Sequence, residues 1–134
     1  MSDFIPPQQP QKSEWGKFIA GFGYAFSGLW YALRTQRNVR VHVTIAILAI
    51  VLGIVLHISA VEFAMIFVAI TGVFIAEMFN TVFELCVTLA SPDYHPLAKI
   101  AKDVAAGAVL LSAMLAVVIG MFVFGPHLWG LISR

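Results

Sequence analysis

The sequence predicts an all-α integral membrane protein, with a surface helix ahead of three transmembrane helices. Three observations lead there. Of the 134 residues, 60% are hydrophobic and 11% charged, whereas an ordinary soluble domain carries about 25% charged residues. Beyond residue 40 the chain holds three apolar runs of membrane-crossing length, separated by short polar connections. Its cations are also sorted: Lys12, Lys17, Arg34, Arg37, Arg40, Lys99 and Lys102 fall on one side of those runs and only Arg134 on the other. The first side is therefore expected to be cytoplasmic.

The net charge of +1 carries no information by itself, and no nucleic-acid partner is expected. A single cysteine, Cys86, excludes an intramolecular disulfide and a cysteine metal cluster. It reads most simply as a small apolar residue at a helix contact. Residues 1–14, with Pro6, Pro7, Pro10 and three glutamines, have no apolar core, so a disordered tail is expected there and not a cleavable signal.

Ser13-Glu14 is a plausible helix start, and Trp15, Phe18, Ile19, Phe22, Phe26, Leu29, Trp30 and Leu33 then recur at helical spacing. This predicts an amphipathic helix over about 15–33, lying in the membrane interface or flat against the other helices. The basic segment from Arg34 to His42 leads into a first crossing over about 41–60. His57-Ile58-Ser59 makes a tight connection, and a second crossing follows over about 61–90, with Glu62 at its mouth. Ser91-Pro92-Asp93-Tyr94-His95-Pro96 breaks it. Pro96 suits the first turn of a third helix, over about 97–124, which Gly125-Pro126 is expected to end.

The polar residues of the second crossing stand out. Glu77, Asn80 and Glu84 follow a long apolar run in a chain with only seven carboxylates. At about 100° per residue the three share a face roughly 60° wide, with the two carboxylates about 10 Å apart along the axis. Polar groups inside a membrane-length helix are expensive, which makes this face a candidate site. The plainer alternative puts Glu84 among headgroups and has Asn80 bonding a neighbouring helix.

On the third helix, Ala101, Ala105, Ala108 and Ser112 permit close approach of a neighbour, which would bring Lys102 and Asp103 towards the Glu84 end. The plainer reading makes Lys99 and Lys102 membrane anchors and Asp103 a partner of Lys99. Carboxylates, an amide, a lysine and a tyrosine or histidine at a membrane surface suit a divalent cation and a phosphate. A proton or ion carrier could use the same groups, but a conducting path needs polar residues through the whole membrane. Here the outer half of every helix is apolar. The residues alone thus point to an intramembrane enzyme acting on a lipid.

Two motifs are more specific. Glu77-x-x-Asn80-Thr81-x-x-Glu84, followed by Asp93-Tyr94-His95-Pro96-Leu97-Ala98-Lys99-x-Ala101-Lys102-Asp103-x-Ala105-Ala106-Gly107-Ala108-Val109-Leu110, closely resembles the small bacterial integral-membrane diacylglycerol kinase and undecaprenol kinase family. Arg34 to His42 resembles it too, and the likeness extends over about Gly23 to Gly120.

The resemblance implies a homotrimer in the bacterial plasma membrane, with the N-terminus and composite active sites on the cytoplasmic side. It implies transfer of the γ-phosphoryl group of ATP, with Mg2+, to the hydroxyl of a membrane lipid. By matching position Glu77 is the general base and Glu84 a metal ligand. Asn80 and Lys102 hold the transferring phosphate, while Asp103, Tyr24, Lys17 and Asp93, Tyr94 and His95 contact nucleotide. Where the family usually has a second metal-binding glutamate this chain has Gln36, whose carbonyl can ligate magnesium but brings no charge. His95 to Lys99 and Arg34 to His42 look like the undecaprenol branch, so undecaprenol is the expected substrate and diacylglycerol the alternative. A helix-bundle ion or proton carrier is the non-enzymatic rival.

Overall fold

A computed structural model describes residues 13–133, which form four helices: α1 (Glu14–Thr35), α2 (Arg37–Val55), α3 (Ala60–Ala90) and α4 (Pro96–Ile132). The tail expected over 1–14 lies, apart from its last two residues, outside the described part, as does Arg134. The last three helices are long and apolar enough to cross a membrane. The chain divides into two units between Tyr31 and Ala32.

In the first unit, Ser13 Oγ accepts from the backbone N–H of Gly16 at 3.2 Å and Lys17 pairs with Glu14 at 2.7 Å. Both interactions favour a helix start, because they satisfy a free N–H and set a negative charge in the first turn. Along one face Trp15, Phe18 and Phe22 stack edge to face at centroid distances of 6.0 and 5.2 Å. The aromatic stripe is exposed within the unit.

In the second unit α3 packs mainly on α4 and secondarily on α2. The break between α1 and α2 is the single extended residue Gln36, at φ −95° and ψ 116°. The basic residues Arg37 and Arg40, expected to precede the first crossing, are already helical. Arg40 folds back to the carbonyl of Arg34 at 2.9 Å, which sets a cation at the C-terminal end of α1.

The first crossing stops at Val55 and not near residue 60. The backbone explains this: the N–H of His57 bonds the carbonyl of Ile54 at 3.2 Å, and the N–H of Ile58 reaches back to Gly53 at 3.1 Å. Together these form a Schellman closure with His57 in the left-handed region at φ 52°. Gly53 lets this closure pack tightly: a Cβ there would stand 2.9 Å from Ile58 Cδ1 and 3.0 Å from the Phe63 ring, and those side chains would have to shift. Two residues on, Ser59 caps α3 in a reciprocal box with Glu62, which accounts for the carboxylate at that helix mouth.

The third crossing begins as expected, with Pro96 in its first turn and His95 Nδ1 accepting from Leu97 N–H at 3.2 Å. Its end differs from expectation: α4 continues through Gly125-Pro126 to Ile132. Proline removes one backbone bond from a helix, whereas stopping in apolar surroundings would leave several carbonyls without partners. Ile58, Ile66 and Val123 form the core at this end of the bundle, with Phe63, Ile119 and Phe124 packed against them. The opposite end is left for polar groups.

Candidate active site

Among the described residues the buried polar side chains are Glu77, Asn80 and Thr81, at 1%, 7% and 3% exposure, all within two turns of α3. A long apolar helix that buries these three and little else polar has gathered its desolvation cost in one place. Such a cost is tolerated where partners or a function compensate it. Thr81 is satisfied locally, donating its hydroxyl to the Glu77 carbonyl at 2.9 Å. Glu77 and Asn80 are not: Glu77 Oε1 and Asn80 Oδ1 are buried without a hydrogen-bond partner within the described residues.

The face expected from helical spacing is present. Asn80 Nδ2 donates to Glu84 Oε1 at 3.2 Å, as residues four apart on a helix allow. From α2's cap, Gln36 Nε2 donates to the other oxygen, Glu84 Oε2, at 3.4 Å. Glu84 is half-buried and both its oxygens thus meet neutral amides. Gln36 and Glu84 lie far apart in sequence and are joined only because α2 starts beside the last third of α3.

That pair suits magnesium. The described residues contain no cluster of three or more His, Cys, Asp and Glu side chains able to hold a metal by themselves. Magnesium does not need one, because it is commonly held by one or two carboxylates, with phosphate oxygens and water completing its octahedron. Glu84 supplies the charge, and rotation of the Gln36 amide would turn its carbonyl oxygen to the same point.

Lys102 approaches α3 as the small residues of α4 suggested, but its Nζ meets Thr88 Oγ1 at 3.1 Å, one turn beyond Glu84. Thr88 in turn donates to the Glu84 carbonyl at 2.7 Å. Asp103 pairs with Lys99 on its own helix. Asp93 and Tyr94 are exposed in the α3–α4 connection, and His95 caps α4. Lys17 and Tyr24 belong to the first unit, where Lys17 pairs with Glu14 and Tyr24 is exposed.

One residue of the site was not singled out from sequence. His42, on the first turns of α2, points its Nε2 at Glu77 Oε1 from 3.3 Å. The ring stands at ion-pair distance without the geometry of a formed hydrogen bond, which is why Oε1 remains unpartnered. His42 also ends a cleft of about 260 Å3 among α2, α3 and α4 that runs down to Phe124, and it is the only lining residue with a polar side chain. The signal available was a lone histidine entering an apolar helix, and the helix that it faces is not adjacent to it in periodicity.

Comparison with known proteins identifies the family. The family described as prokaryotic diacylglycerol kinase matches residues 23–124. The chain is 38% identical over 117 residues to an undecaprenol kinase of Bacillus subtilis, covering 87% of this chain and 95% of that one. It is 40% identical over 137 aligned positions to a diacylglycerol kinase of Synechocystis, covering 95% of this chain and 78% of that one. A diacylglycerol kinase of Escherichia coli is 27% identical over 111 residues, covering 83% of this chain and 91% of that one. With a family match over most of its length, the chain belongs to the prokaryotic diacylglycerol kinase family of lipid kinases.

Proposed function

We propose that this lipid kinase transfers the γ-phosphoryl group of ATP, as its magnesium complex, to the hydroxyl of undecaprenol. It does so as a homotrimer at the cytoplasmic face of the bacterial plasma membrane. The observation that supports the chemistry best is Glu77, a carboxylate 1% exposed that no described donor holds in a formed hydrogen bond. A lipid hydroxyl is a donor that arrives at that depth.

In the step itself the hydroxyl proton passes to the Glu77 carboxylate as the lipid oxygen bonds to the γ-phosphorus. The bond from that phosphorus to the ADP oxygen breaks, and ADP leaves with the electron pair. Glu84 and Gln36 would hold magnesium, which would neutralise charge on the phosphates. Asn80 retains a second amide N–H beside the one given to Glu84, and Lys102 has ammonium protons beyond the one shared with Thr88. Both therefore have donors left for the transferring phosphoryl oxygens. Phosphoryl transfer depends on positioning and charge neutralisation more than on covalent help, so this small set suffices.

Undecaprenol is favoured by the likeness to the Bacillus undecaprenol kinase, which extends over 95% of that protein. The Synechocystis relative makes diacylglycerol the competing substrate. Transfer of label from ATP, with both lipids in one membrane, decides between them: undecaprenol is expected to take most of the label, and preferential labelling of diacylglycerol reverses the assignment. Glu77→Gln is expected to lower turnover by at least about 10²-fold, the usual span of a general base, without changing assembly. Turnover near wild type in that variant would remove Glu77 from the role.

A further inference from the structure

We infer that His42 is the positioning residue for the Glu77 carboxylate, and that its imidazole does this by presenting an N–H to Oε1. This rests on Glu77 acting as the base. The two side chains come from different helices and meet at 3.3 Å, Nε2 to Oε1, where Glu77 is almost wholly buried. No other described side chain contacts the carboxyl oxygens by hydrogen bond or ion pair, whereas Glu84, about two turns further along the same face, has two amides on it. A buried carboxylate with no donor is free to rotate about its last side-chain torsion, which is broad and roughly two-fold.

A single N–H fixed on one oxygen ends that freedom. Oε1 becomes the anchored oxygen and Oε2 the one left to take the proton. Beside the pair, Glu84 lies further along α3, and the cleft that His42 lines carries no other titratable or charged side chain from α2, α3 or α4. The imidazole is the described side chain that reaches the carboxylate at ion-pair distance from across the helix interface. It touches neither of the residues proposed to hold magnesium by hydrogen bond or ion pair among the described contacts.

The test uses the full-length enzyme in lipid bilayers, with Glu77→Gln assayed alongside. His42→Leu keeps the volume and removes the N–H; it is expected to lower kcat about 10²-fold, the loss that follows when a catalytic group is misplaced by about 1 Å, with KM for ATP unchanged. His42→Gln, which restores an amide N–H, should recover at least a tenth of wild-type kcat. In the Glu77→Gln background, His42→Leu should cost no more than about twofold, because nothing remains to be oriented.

If His42→Leu does not accumulate as folded trimer, His42→Ala takes its place in all three comparisons. The inference is overturned by kcat within threefold of wild type in the apolar variant. It is equally overturned by a glutamine variant as impaired as the apolar one, or by a further large loss on top of Glu77→Gln. Near-normal turnover of Glu77→Gln alone instead overturns the assignment of the base, so the two failures are told apart.

Discussion

Replacing Gln36 by glutamate turns the amide–carboxylate contact at the head of α2 into two facing carboxylates. In the native chain Gln36 Nε2 lies 3.4 Å from Glu84 Oε2. At an effective dielectric of about 20, two negative charges at 3.4 Å repel by about 5 kcal/mol, falling to about 3 kcal/mol once the side chains swing to about 6 Å. Both residues are half-buried, so water and salt reduce this further, to about 1–2 kcal/mol.

Without divalent cation, Gln36→Glu should therefore melt several degrees below wild type. Magnesium reverses the sign, because two carboxylates on one hard cation attract where they had repelled. The variant should recover its melting temperature in magnesium, and its half-saturating free magnesium in the kinase assay should fall about tenfold, equivalent to about 1.4 kcal/mol. Melting curves in EDTA and in magnesium, with turnover titrated against free magnesium at saturating ATP, measure both effects. An unchanged magnesium requirement together with an unchanged melt in EDTA would refute a metal site between residues 36 and 84.

Three further outcomes are expected. Gly53→Val should lower stability by about 1–3 kcal/mol, because its Cβ would stand 2.9 Å from Ile58 Cδ1 and 3.0 Å from Phe63, outweighing any gain in helix propensity; the melting temperature in detergent reads this, with turnover per folded enzyme unchanged. Ser59→Ala should cost about 1 kcal/mol by removing the cap on α3, visible as faster amide hydrogen exchange at Glu62 and neighbouring residues and again without loss of turnover. Lys102→Met should lower kcat/KM for ATP about 10²-fold while leaving the melt unchanged, since the exposed bond to Thr88 adds little to stability; an unaltered kcat/KM would take Lys102 out of phosphate binding.

Much of the fold was legible because membrane helices are specified by local properties. Apolar length located α2, α3 and α4, and Pro96 and Ser91-Pro92 marked the boundary between the last two. The errors lie at helix ends. Gly125-Pro126 reads as a stop in water, where freed carbonyls bond solvent; in apolar surroundings one lost bond is the smaller cost, and α4 runs on. The end of α2 depended on His57 adopting a left-handed conformation usually left to glycine, which the sequence does not advertise.

By itself the sequence determined the family, the number of helices and the polar face of Glu77, Asn80 and Glu84, because hydropathy and a 3.6-residue period need no knowledge of neighbours. Only the tertiary structure decided that His42 faces Glu77, that Gln36 closes on Glu84 and that Lys102 meets Thr88. Two of those contacts join different helices, and the third joins the α1–α2 connection to α3. Which residues meet across such a boundary is set by how the helices rotate and slide as they bury their small and apolar faces, and that is a property of the packed bundle and not of any one segment.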